Sequence, residues 1–141
     1  MMVDTSTPYP TAPHVSHSFL AFDLGTQRTG VAVGNRLTRT AQPLKTIVAQ
    51  GDARFAPIAA TIQEWQPDAL VIGVPRHPDG AAHEMTAKAE RFARQLQGRF
   101  HLPVHTVDER FSSVEAASRG VKDLDAMSAC IILEQFLQGL P

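Results

Sequence analysis

The chain has 141 residues, 43% hydrophobic and 19% charged, with 13 Lys and Arg against 14 Asp and Glu. That length predicts one domain with a full hydrophobic core and excludes two lobes around a cleft, and no apolar run is long enough to span a bilayer. The near-zero net charge excludes a uniformly basic surface, so a nucleic-acid ligand would require the cations to be sorted onto one face.

Residues 1–18 are rich in Pro, Ser, Thr and His and lack the basic start and apolar centre of a signal peptide; they read as a flexible tail ahead of a single domain at 19–141. The stretch from Phe19 to Gly34, FLAFDLGTQRTGVAVG, carries the most information. An apolar strand delivers Asp23 into a turn whose small residues, Gly25 and Thr26, would let an anionic group approach the backbone. Val31 to Val33 then pair antiparallel with the first strand. Asp23 is either a hairpin-capping acid or a ligand for a divalent metal with a phosphate beside it.

A third strand is expected around Leu44 to Val48. From Asp52 the period changes, and Phe55, Ile58, Ile62 and Trp65 mark an amphipathic helix that Pro67 ends. Ala69 to Val74 is an unbroken apolar run between prolines, which predicts a central strand buried on both faces and parallel to the first. The loop from Pro75 to Gly80 holds Arg76 and His77. Met85, Ala89, Phe92 and Leu96 predict a second helix with Gly98 near its end and with Lys88, Arg91 and Arg94 largely off its apolar face. Val104 to Val107 is a short strand ending in Asp108 and Glu109. Ser112 with Glu115 matches a capping box for a short helix that Gly120 interrupts. The last helix runs from about Asp123, with Ala126, Cys130, Leu133, Leu137 and Leu140 inward. A single cysteine, read as a small buried hydrophobe, suits a reducing cytoplasm. The fold class is α/β, a mixed five-stranded sheet of three antiparallel and then parallel strands, with helices on both faces.

Acids therefore arrive at strand ends twice, at Asp23 and at Asp108–Glu109, and Asp125 falls in the first turn of the final helix. Open α/β sheets bind ligands beyond the carboxyl ends of their strands, where the first two acids lie if their strands are parallel neighbours. Converging carboxylates repel unless a cation joins them, and all-oxygen ligation suits Mg²⁺ or Mn²⁺. Two such ions about 3.5 to 4 Å apart clamp the attacking and leaving oxygens of a phosphodiester. Side chains alternate along a strand, so one of Asp108 and Glu109 faces the site; the longer Glu109 is the choice. Asp125 is equally well a helix-start acid on the dipole, with Asp123 the rival cap. His14, His17, His77, His83, His101 and His105 have neither HExxH nor zinc spacing, and no GxSxG turn supplies a serine nucleophile.

Five ordered blocks, FDLGTQRTGVAVG, AQPLKTI, LVIGVPRHPDG, LPVHTVDERFSSVEA and DAMSACIIL, resemble the YqgF family, the Holliday-junction-resolvase-like pre-16S rRNA nucleases of bacteria. The resemblance implies an RNase H-like fold, metal-dependent phosphodiester hydrolysis and maturation of the 5′ end of 16S rRNA. It implies Asp23, Glu109 and Asp125 as the catalytic, metal-holding triad, and a nucleic-acid partner, pre-16S rRNA or branched DNA, with the ribosomal precursor particle as a further partner. The SRGVKDLD segment is shorter than the Lys- and Arg-rich stretch usual in that family and carries only Arg119 and Lys122. Gly25, Thr26, Arg28, Arg76 and Arg110 are the substrate-binding candidates, with Arg36 and Arg39 as further phosphate contacts. Two alternatives stand beside the nuclease: a non-cleaving rRNA or ribosome-assembly binding module, and a phosphotransferase of the actin and sugar-kinase type, which one lobe cannot build. Monomer and homodimer both stay open.

Overall fold

The computed structural model describes residues 17–109 and 124–141. Residues 1–16 of the tail expected at 1–18, Arg110, the Ser112–Glu115 capping box and the basic positions Arg119 and Lys122 lie outside the described residues, whereas Ser18 already belongs to the first strand. Eight principal elements follow in order: β1 (Ser18–Leu24), β2 (Arg28–Asn35), β3 (Thr40–Val48), α1 (Phe55–Trp65), β4 (Ala69–Pro75), α2 (Thr86–Phe100), β5 (Val104–Glu109) and α3 (Leu124–Gln138). A 3₁₀ turn at Gly51–Arg54 leads into α1.

The strands form one sheet in the order β3-β2-β1-β4-β5. β1, β2 and β3 pair antiparallel, whereas β4 is parallel to both β1 and β5. The sheet is mixed as expected, with one refinement: β1 and β5 are not neighbours but flank β4. β3 starts at Thr40, four residues before the expected apolar run, and runs through Pro43. An edge strand tolerates a proline, and the register shifts opposite it between Val31 and Ala32.

Alternation along the strands sorts two apolar layers. Leu20, Phe22, Leu24, Val31, Leu70 and Ile72 face α1 and α2, meeting Phe55, Ile58, Phe92 and Leu96. There Phe22 and Phe92 make an edge-to-face pair at 6.2 Å. Phe19, Ala21, Ala32, Ala69 and Val71 face α3, meeting Ala129, Cys130, Ile132, Leu133 and Leu137. β4 is covered on both sides, which explains its unbroken apolar run. At the start of the sheet the Asp68 carboxylate accepts from the His17 and Ser18 amides at 2.8 and 3.0 Å, fixing β1 beside β4.

Two helix ends use less obvious residues than the punctuation suggested. α1 ends with Gln66 in the left-handed region, one residue before Pro67. α2 runs through Gly98 and ends at His101, whose φ is 57°. Among the described residues no helix is long and apolar enough to cross a membrane.

Candidate active site

The ends of β1, β4 and β5 and the first turn of α3 come together at one end of the sheet. Asp23 shares the face of Phe19 and Ala21, so its carboxylate points toward α3. Glu109, the last residue of β5, faces the same way and is 8% exposed, while Asp108 beside it is exposed on the other side. The longer acid is the one turned inward, as alternation requires.

Glycines clear the space on both sides of Asp23. Gly30 is its partner on β2, and a Cβ there would stand 1.8 Å from the Asp125 carbonyl oxygen and 3.0 Å from the Ala126 amide nitrogen. The first turn of α3 therefore rests on bare backbone, which brings Asp125 beside Asp23. Gly73 follows the last paired position of β4 with β1, Phe22 with Ile72. A Cβ on Gly73 would lie 2.9 Å from a Glu109 carboxylate oxygen and 2.4 Å from the Ile132 Cδ1. Its missing side chain lets Glu109 reach across β4 to Asp23.

Asp23 and Glu109 are hydrogen-bonded, which two carboxylates achieve only by sharing a proton. Burial holds the Asp23 carboxyl well above its ordinary range, and the charges of Glu109 and Asp125 and the hydrogen bond to Glu109 add to that effect. Burial also pushes Glu109 up to about 7, against a smaller downward pull from the bond to Asp23. The two carboxyls therefore hold one proton between them, and both are raised above their ordinary range.

Asp125 stands slightly apart. Its Oδ2 accepts from Arg28 Nε at 2.9 Å, with the two side chains 32% and 62% exposed. Among the described residues no three His, Cys, Asp or Glu side chains close around one point. The donors nevertheless fit a hard divalent cation. They are all carboxylate oxygens, and a cation in place of the shared proton would offset the burial and the repulsion that raise Asp23.

The turn after β1 is built differently from the expectation that Gly25 and Thr26 offer free backbone to a phosphate. The Gly25 amide already donates to the Arg28 carbonyl at 2.8 Å. From below, Arg54 donates through Nη2 to the carbonyls of Gly25 and Thr26, at 3.4 and 3.0 Å. Thr26 and Arg28 remain exposed and, with Gly25, Gln27 and Asp125, line a cleft of about 210 Å³ beside the acids.

Arg76 sits next to Glu109 through its backbone, its amide donating to the Glu109 carbonyl at 3.1 Å, while its guanidinium lies 3.8 Å from Glu90. Arg36 and Arg39 are at the far end of the sheet, donating to carbonyls at the end of α3 and just after it. The described histidines stay out of the acid group: His77 and His83 stack on each other, and His105 packs on Phe136. Sequence reasoning missed Gly30, Gly73 and Arg54. The first two had a readable sign, since glycine inside a strand often marks a close approach.

A family model described as RuvX, Holliday junction resolvase, matches residues 17–139. The chain belongs to this family. RuvX relatives include a protein of Albidiferax ferrireducens named "Putative pre-16S rRNA nuclease", 68% identical over 123 residues that cover 87% of this chain and 79% of that one. A Polaromonas protein of the same name is 61% identical over 132 residues, covering 92% and 96%. Among solved structures, Thermus thermophilus RuvC in complex with a Holliday junction substrate superposes with a TM-score of 0.50 at 15% identity, covering 86% of this chain and 93% of RuvC. That likeness establishes the RNase H-like architecture, which the topology and the acid positions already indicated.

Proposed function

We propose that this RuvX-family protein is a metal-dependent endonuclease that cuts structured nucleic acid, with pre-16S rRNA as its substrate in ribosome biogenesis in the cytoplasm. The observation that carries this reading is the Asp23–Glu109 pair, a half-buried and a buried carboxylate held in contact across a glycine at the carboxyl ends of parallel strands. The names of the close relatives supply the substrate, and the matched family description supplies the alternative of branched DNA.

Asp23, Glu109 and Asp125 would hold Mg²⁺ or Mn²⁺, which would neutralise charge on the scissile phosphodiester and supply a nucleophile near neutral pH. The remaining work falls to the chain itself. Holding the cation would require both Asp23 and Glu109 ionised, their shared proton passing to solvent water. Asp125 would leave Arg28 to join the cation, and the Arg28 guanidinium, at the mouth of the cleft, would then be available to pair with a non-bridging phosphate oxygen. Arg54 keeps the Gly25–Thr26 turn rigid beneath the strand being cut. Arg76, held beside Glu109 through its backbone amide, adds a cation near the site.

The test is cleavage of a structured pre-16S leader RNA and of a four-way DNA junction in Mn²⁺, by the wild type and by Asp23→Asn. Cleavage by the wild type should fall at least about a thousandfold in the variant, as expected when one member of a catalytic unit is lost. Equal cleavage by the two proteins would remove the proposed site, and the preferred substrate identifies RNA or branched DNA.

A further inference from the structure

On the side of the β1–β2 turn away from Asp125 lies a second cleft, of about 330 Å³, between that turn, the Gly51–Arg54 segment and α2. Its apolar lining comes from Leu24, Phe55, Met85 and Phe92. Three cations, Arg54, Lys88 and Arg91, line it together with one carboxylate, Asp52. Lys88 and Arg91 are one turn apart on α2 and exposed. Among the described residues neither has an ion-pair partner within 4 Å.

Arg54 is the unusual member. A guanidinium only 8% exposed is uncommon without a carboxylate bound to it, yet its hydrogen bonds go to two backbone carbonyls. Its Nε has no partner among the described residues. Apart from those carbonyls and the face of the Phe92 ring 5.8 Å away, the Arg54 charge is left for an anion in the cleft to complement. Burial lowers its proton affinity, which marks the same shortfall, and Asp52 offsets only part of it.

Gly25 and Thr26 line both this cleft and the smaller one beside the acids. A strand laid over the turn from the acid centre therefore runs directly between the cationic walls. Resting on the nuclease reading above, we infer that this cleft takes one unpaired nucleotide of the strand being cut, next to the scissile phosphate. Its phosphate sits on Lys88 and Arg91, and its sugar and base lie on the apolar lining. The volume is at the lower end for small-ligand sites, which leaves room for one nucleotide and none for a base-paired partner. The preference is for single-stranded segments and unpaired flanks of structured RNA, where bases can be splayed away from a helix.

The test measures binding and needs no cleavage. Fluorescence anisotropy of a short fluorescein-labelled oligouridylate, and of the same strand paired with oligoadenylate, is followed over a salt series without divalent metal. The wild type is compared with K88A/R91A and with a control of equal charge loss, K45A/R94A. Melting curves verify that all three are folded. The cleft variant should bind the single strand about tenfold more weakly, and the slope of log K against log salt should shrink by about 0.7, the value for one phosphate contact on a single strand. The control should match the wild type in both, and the duplex should lose less affinity than the single strand. Equal losses in the two double variants, or no wild-type binding to the single strand, would overturn the cleft as a site. Equal loss with single strand and duplex would overturn its preference for an unpaired nucleotide. Failure of Asp23→Asn to affect cleavage would instead strike the catalytic reading and leave these binding results standing.

Discussion

The proton shared by Asp23 and Glu109 makes the metal-free protein sensitive to pH in a predictable direction. Burial pushes Glu109 up to about 7 in the folded chain from an ordinary 4.5, and Asp23 is also raised well above its ordinary value. The folded state thus binds protons more tightly than the unfolded chain, so stability from this pair is present below about pH 4.5 and is lost as pH rises through 7. For Glu109 alone the loss is on the order of 3 kcal/mol. A divalent cation reverses the sign, because it binds the ionised pair and stabilises the fold by mass action. Thermal melts in EDTA should give a falling melting temperature from pH 5 to 8, and Mn²⁺ should raise it far more at pH 8 than at pH 5. Asp23→Asn should melt higher than the wild type in EDTA at pH 8 and lose the Mn²⁺ response. A wild-type melting temperature in EDTA that climbs over the same range would show that the two carboxyls do not share a proton.

Between elements, the site depends on how closely α3 lies on the sheet, and two glycines control that. Gly30→Ala would drive a methyl group into the backbone of Asp125, which can only be relieved by lifting the start of α3. Overpacking of this kind costs about 1 to 3 kcal/mol or more, and cleavage should fall with it because Asp125 moves. Gly73→Ala meets only the ends of the Ile132 and Glu109 side chains, which can turn aside. It should leave the melting temperature closer to that of the wild type yet still impair cleavage by displacing Glu109 from Asp23. Comparable stability losses in both variants would mean that α3 is not seated on Gly30. These contacts also explain what the sequence disclosed. The period-2 and helical patterns located every described element, because burial on one or two faces writes itself into local spacing. Asp23 and Glu109 were legible because a strand end fixes where its last side chain points. The contact between them was not, since it passes across β4 and depends on an absent side chain. Arg54 was equally hidden: its partners are carbonyls 28 and 29 residues away, which leave no trace in composition or period.

Over the whole molecule, α3 is held at both ends, and the two ends have different duties. Its first turn carries Asp125 at the acid centre, on the side of the sheet where Asp23 pairs with Gly30. Its last turn is beside the β2–β3 connection, where Ser18 pairs with Asn35 at the opposite end of β1. There Arg39, itself in the left-handed region with φ 56°, donates to the carbonyls of Leu137, Leu140 and Pro141. Helix carbonyls near a C-terminus have no intrahelical partner and carry partial negative charge, so a guanidinium there meets both needs. This placement assigns Arg39 a structural duty in place of the phosphate contact its charge first suggested. Arg39→Ala should cost about 1.5 to 3 kcal/mol, the range for hydrogen bonds to a charged group, reduced by its exposure. The melting temperature should fall by a few degrees, while the oligonucleotide affinity and its salt slope remain those of the wild type. A reduced salt slope with an unchanged melting temperature would return Arg39 to the substrate face and extend the nucleic-acid path around to the far end of the sheet.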